Sequence, residues 1–230
     1  MKKTLLAVLA IGMVIFGIAG VSQADSIVAG DYVKLIDYNG LDGAGIMTYS
    51  VSHDGGKNEA FKYDTFCIQD NVYVWYNTWY PVASLSDTVG KFNTTIAGTG
   101  PLNGAVDYLF YRYKRGAYDF TATSTMTTHE LEADLQRILW SLQGSGPAYT
   151  PPATYHYQWE TDLANYNANT SLHRSWGTKV INIVSSHNAD GYHGPDIQNQ
   201  LYNEPVPEPA TMLLLGTGLA GLAGARRRKR

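Results

Sequence analysis

Period-two alternation fills the first half of the chain and a 3.6-residue period takes over after Leu102. Because the two patterns are segregated rather than interleaved, they point to an α+β fold and away from a parallel sheet built of βαβ units. Residues 31–38, 45–51, 60–69 and 72–80 alternate like strands, and Asn39-Gly40, Asp42-Gly43 and Asp54-Gly55-Gly56 stand between them as turn signals. A sheet or small barrel packed against two or three helices is expected.

Ala105, Val106, Leu109, Phe110 and Tyr113 fall on one helical face before Gly116 ends the run. A stronger helix follows. Thr127 with Glu130 three residues on makes a capping box, Leu131, Leu135, Ile138, Leu139 and Leu142 repeat at helical spacing, and Gly144 stops them. At 100° per residue, Ala133, Gln136 and Trp140 lie together away from that stripe, so a tryptophan there predicts a second packing surface. Past the Pro-rich linker at 147–152, residues 159–168 and 176–186 look weakly helical and 190–206 reads as loop.

Both ends of the chain are addresses rather than fold. Lys2 and Lys3 precede an apolar stretch and the small-residue site Ser22-Gln23-Ala24, which predicts a signal peptide over 1–24. At the other end Pro207-Glu208-Pro209 leads into an apolar run over 210–225 and then five consecutive cations, 226–230. The prolines keep that motif out of any helix and accessible. Sixteen apolar residues with four glycines fall short of the roughly 20 of a permanent span, so the run suits a transient inner-membrane anchor with its basic end on the cytoplasmic side. Together these features resemble the PEP-CTERM sorting signal of Gram-negative bacteria. That resemblance implies an exosortase-type transpeptidase as partner, removal of the 205–230 tail, and a final location at the cell surface or in the extracellular matrix.

The exported domain is then 25–204. The central region through 206 carries ten Lys and Arg against 19 Asp and Glu, a net charge of about −9, which argues against nucleic acid as a partner. All 17 Tyr and all five Trp sit there, a composition suited to surfaces that meet sugars or proteins.

One cysteine, Cys67, occurs in a compartment that favours disulfides, so no intramolecular bridge can form. A buried cysteine acting as a small hydrophobe, an intermolecular disulfide and a reactive thiol are the three readings of it. In the strand at 60–69, Phe66 and Ile68 point one way while Tyr63, Thr65, Cys67 and Gln69 point the other. The neighbourhoods Thr65-Phe66-Cys67-Ile68 and Leu135-Gln136-Arg137-Ile138-Leu139-Trp140 resemble the cysteine and glutamine motifs of the thioester domains of Gram-positive surface adhesins, although Leu135 and Ile138 stand where that family usually has Thr and Ala. The resemblance implies that the Cys67 sulfur attacks the Gln136 carboxamide, with Trp140 shielding the bond. A surface-protein amine or a polysaccharide hydroxyl would then open it in a single-use reaction.

Other constellations are weaker. His187, Asp190, His193 and Asp196 lie close enough to ligate a metal but match no known closed site. His53-Asp54-Gly55-Gly56 is a hairpin turn. Tyr73, Trp75, Trp79 and Tyr80 are candidates for stacking on sugar rings. No catalytic triad, phosphate loop or close carboxylate pair stands out, and no cofactor is called for. The sequence thus favours an adhesin over an enzyme, with a carbohydrate-binding or biofilm-matrix module and a polysaccharide hydrolase as the alternatives.

Overall fold

The computed structural model describes residues 26–70, 72–90, 98–123, 125–152, 157–185 and 197–204. The expected signal peptide, sorting tail and His187–Asp196 cluster lie outside these residues. Residues 27–204 form one compact unit.

Four strands come first, β1 (Tyr32–Leu41), β2 (Ala44–Ser52), β3 (Phe61–Thr65) and β4 (Trp79–Ser86), followed by the short β5 (Thr88–Val89) and β6 (Gly100–Pro101). Helices α1 (Gly104–Lys114), α2 (Thr128–Gln143) and α3 (Gln158–Ala168) and a 3-10 turn (Thr170–Leu172) come next, then β7 (Thr178–Ile183) and β8 (Gln200–Asn203). The main sheet is antiparallel in the order β3-β2-β1-β4-β7-β8. Its two edges meet: the chain leaving β3 pairs with β8 through Ile68 N–H to Asn199 O (2.9 Å), Leu201 N–H to Phe66 O (3.0 Å) and a bridge between Cys67 and Gln200. The sheet is therefore a nearly closed barrel, and its seam runs through Cys67.

Turn chemistry sets the register of the first hairpin. Leu41 pairs with Ala44 across Asp42 (φ 52°) and Gly43 (φ 81°), a two-residue turn in which both central residues take positive φ. One pair further in, a β-carbon on Gly45 (φ 142°) would fall 2.3 Å from the Asn39 carbonyl oxygen and 2.5 Å from the Gly40 α-carbon, so no side chain fits. The His53–Gly56 segment is a turn as expected, its Asp54 carboxylate accepting from Ser52 Oγ, Lys57 N–H and both Asn58 donors. These bonds hold the Asp54 carboxyl well below the usual carboxylate range.

The capping box at Thr127 and Glu130 and the left-handed Gly144 (φ 73°) bound α2 where the sequence placed them. The helix is buried on two sides. Leu131, Leu135, Ile138 and Leu139 join Val106, Leu109 and Phe110 of α1 with Phe66 and Ile68 in one cluster. Ala133 and Trp140 join Val33, Leu35, Met47, Tyr49, Cys67, Ile181 and Ile183 in the other, so the second packing surface is the barrel itself. At about 1.5–3 kcal/mol per large apolar side chain buried, each cluster contributes on the scale of the whole net stability, so neither face of α2 is dispensable.

Three expected elements differ. Residues 72–78 are not a strand, because Asn77 (φ 57°) turns the chain and leaves Tyr73, Trp75 and Tyr76 exposed. Within the stretch expected as helix at 176–186, residues 178–183 are instead strand β7. Val180, Ile181 and Ile183 are fully buried, so neither sheet face supplied the polar alternation of a half-exposed strand. Within the expected loop at 190–206, residues 200–203 form β8, which completes the barrel after the helices.

Candidate functional site

Cys67 and Gln136, 69 residues apart, are brought together in the interior. Cys67 sits on the barrel seam with its side chain opposite those of Phe66 and Ile68, and α2 lays Gln136 over it; both residues have zero exposure. The Cys67 thiol donates to Gln136 Oε1 (3.5 Å) and Gln136 Nε2 donates to the Cys67 carbonyl (2.6 Å). Two bonds in opposite senses hold the carboxamide against the sulfur in one orientation. Burial pushes the thiol far above its ordinary pKa, and the Trp140 side chain works in the other direction. At neutral pH the pair is a protonated thiol touching an amide.

Trp140, one helical turn beyond Gln136, is 6% exposed, and its indole nitrogen has no hydrogen-bond partner of normal geometry among the described residues. It forms part of the wall of a surface pocket of about 220 Å³ whose lining includes Tyr38, Asp42, Asp70, Tyr76 and Gln198. The exposed Tyr73 also lines it. Burial raises the Tyr38 phenol to about 12, and its hydroxyl donates to the Ala44 carbonyl (3.0 Å), which fixes this wall. Trp140 therefore stands between the pocket and the Cys67–Gln136 pair.

A carboxylate network fixes α2 over the barrel. Asp134, 3% exposed, accepts from Arg137 Nη1 (3.0 Å) and from the Tyr149 and Tyr157 hydroxyls. Arg137 also reaches the Leu41 carbonyl (3.5 Å) and Asp42 (3.9 Å) at the β1–β2 turn. The helix that carries Gln136 is thereby tied to the pocket mouth.

Sequence reasoning missed Gln200, which is fully buried and lies across the seam from Cys67, with its Nε2 donating to the Gln198 carbonyl (2.9 Å). It also missed Asp70 and Tyr38 in the pocket. Gln200 occupies a strand that had looked like loop, and the other two are ordinary surface residue types with no spacing signal.

Of the aromatic candidates, Tyr73 and Trp75 are exposed, whereas Tyr80 is buried and Trp79 packs beneath Lys34 (4.6 Å to the ring centre). Tyr80 is thus a core residue rather than a sugar platform. A larger pocket of about 340 Å³ near Gly104 and Arg174 is lined by Asp107, but that carboxylate is taken by the Trp176 and Thr178 amides (2.8 and 3.0 Å) and serves the fold. Among the described residues, no cluster of His, Cys, Asp or Glu could hold a metal ion, and no helix is long and apolar enough to cross a membrane.

Comparison with known proteins adds one finding. Residues 205–229 match the PEP-CTERM protein-sorting motif. A PEP-CTERM signal implies export, a transient stay at the membrane, processing by an exosortase and sorting to the cell surface. The match covers the tail; no curated protein and no solved structure matches the chain. The likeness of the Cys67 and Gln136 neighbourhoods to thioester domains thus gains nothing from these comparisons.

Proposed function

We propose that this PEP-CTERM protein is a surface adhesin whose Cys67 and Gln136 condense into an internal thioester that captures a target covalently. The observation that carries the reading is the reciprocal pair of hydrogen bonds between the two side chains in a site with no exposure. In the condensation, the sulfur adds to the Gln136 carboxamide carbon, the bond to Nε2 breaks, and ammonia departs with the thiol proton. The product is an activated acyl group that water reaches slowly because the site is dry. An amine or hydroxyl entering past Trp140 would form the new bond to carbon and return the electron pair to sulfur. Each molecule would react once, so the protein would bind without turnover and need no cofactor.

Intact mass of the purified protein tests this directly. The expected result is a deficit of about 17 Da, the mass of ammonia, that is absent from the Cys67→Ala and Gln136→Ala variants and converted to an adduct by methylamine. A full mass with a titratable thiol in folded protein would refute it.

A second reading, non-covalent binding of carbohydrate, is favoured by Tyr73 and Tyr76, which line the pocket and stand 80% and 50% exposed, and by Trp75 between them in the chain, 72% exposed. Quenching or a blue shift of tryptophan fluorescence on adding a neutral polysaccharide, lost in Trp75→Ala, tests it. A polysaccharide hydrolase is the weakest of the three readings, since the pocket offers Asp42 and Asp70 but no observation pairs them as acid and base.

A further inference from the structure

A buried donor left without a partner costs roughly 1–3 kcal/mol, so a structure that keeps one calls for a physical reason. The indole N–H of Trp140 is such a donor, on a side chain 94% buried by its 6% exposure, on the same α2 face as Gln136 and in the same cluster as Cys67. Its position is tightly set: Ser145 Oγ bonds the Trp140 carbonyl (3.4 Å), and Gly146 leaves no room beside the Trp140 β-carbon, where an added methyl would sit at 3.1 Å.

We propose that the Trp140 indole N–H is the hydrogen-bond donor to the Cys67 sulfur whenever that sulfur carries negative charge, both as it attacks Gln136 and as it leaves when the acyl group is transferred. The proposal rests on the thioester reading for its chemical purpose and goes beyond the role of Trp140 as a shield. Both steps pass through a sulfur with thiolate character in a cavity that strongly disfavours charge. Burial alone would make that sulfur a poor nucleophile and a poor leaving group. A donor without a partner in the resting state gains its bond as charge develops on sulfur, which is the arrangement that lowers a barrier instead of stabilising the resting state. The thiol's response to its surroundings agrees, since the Trp140 side chain pulls its pKa down against the effect of burial. In the acyl transfer, the incoming amine forms its bond to the acyl carbon, the carbon–sulfur bond breaks, the pair stays on sulfur opposite the indole N–H, and the amine's proton ends on that sulfur.

The experiment compares wild type with Trp140→Phe, which keeps a ring and removes the donor, and Trp140→His, which restores an N–H. Methylamine is the probe. Trp140→Phe is expected to lower the rate of thioester opening about tenfold, with Trp140→His recovering part of it; equal rates in wild type and Trp140→Phe overturn the proposal. In the Gln136→Ala background, where no thioester can form, alkylation of Cys67 by iodoacetamide at pH 8 should slow about tenfold after Trp140→Phe, a change that loss of packing alone would not produce because a looser site exposes the thiol and reacts faster. An unchanged or faster rate overturns the proposal whatever the state of the thioester. Should Trp140→Phe fail to fold, Trp140→Leu takes its place with the same expectation and the same refutation. A wild-type protein lacking the mass deficit would refute the thioester reading while the alkylation rates still decide the donor.

Discussion

Asp134→Ala removes the carboxylate that fastens α2 above the barrel, and its cost follows from three partners. Arg137 Nη1 at 3.0 Å and the hydroxyls of Tyr149 and Tyr157 all point at a group 3% exposed. Hydrogen bonds to a charged group are worth about 1.5–3 kcal/mol each, and bonds sharing one acceptor are not additive. The Arg137 side chain is about a quarter exposed, so solvent recovers part of its loss and that bond belongs at the low end. The half-buried Tyr149 and the buried Tyr157 then lose this acceptor, though the Tyr157 hydroxyl keeps Met126 Sδ (3.4 Å), giving a total of about 3 kcal/mol, the low end of what removing one member of a buried ionic group costs. For a domain of this size that corresponds to a fall in Tm on the order of 10 °C. Denaturant titration is the assay: the midpoint should fall with an unchanged slope, which separates lost stability from a changed denatured state. A loss under about 1 kcal/mol would refute the reasoning and mean that water replaces the carboxylate at little cost.

Thr127→Ala deletes the capping box of α2 and should cost about 1 kcal/mol by denaturant titration, with Thr127→Ser restoring most of it. Gly45→Ala sets a methyl against the Asn39 carbonyl at a φ of 142° and should cost at least about 2 kcal/mol, whereas Gly43→Ala, with open space around its site, should cost less despite its positive φ. Stability should fall at alkaline pH. Burial raises Tyr49 and Tyr63 well above their ordinary value of 10.0, so above that pH the unfolded chain releases protons that the folded one keeps. Below pH 10 their contribution is fully present; above it, the fully buried Tyr49 phenol removes up to about 1.4 kcal/mol per pH unit and the partly buried Tyr63 less, and Tyr49→Phe should flatten the decline seen in unfolding free energy against pH. Trp75→Ala, by contrast, should change stability by less than about 0.5 kcal/mol, because that ring is 72% exposed.

Legibility followed the physics of each element. The start and end of α2 were readable because a capping box and a left-handed glycine are local devices whose geometry depends on a few adjacent residues. Its second buried face was readable because Trp140 lay where a surface helix would have put a polar residue. Cys67 and Gln136 were identified as a pair by resemblance, yet their meeting depends on β8 closing the seam, and β8 itself looked like loop. Strands β7 and β8 were obscured for one reason: they are short, and every residue of β8 and all but Lys179 of β7 is buried, so period-two alternation had no solvent face on which to show. Conversely, 72–80 alternated convincingly, but the aromatic residues at 73, 75 and 76 stay outside because Asn77 turns the chain before β4 begins. The pocket beside Trp140 draws residues from the β1–β2 turn, the loop after Cys67, α2 and the approach to β8, a set that no window of sequence contains.

Closure of the barrel also gives the protein a clock. Cys67 finishes its burial only when residues 199–201 arrive, and in a chain exported from its N-terminus those are among the last of the domain to emerge, a few residues ahead of the sorting motif. Until then the thiol faces the oxidants of an extracytoplasmic compartment with neither Gln136 held against it nor a wall around it. Oxidative damage would accordingly concentrate in chains stalled during translocation, and a protein whose last strand had docked would be chemically protected.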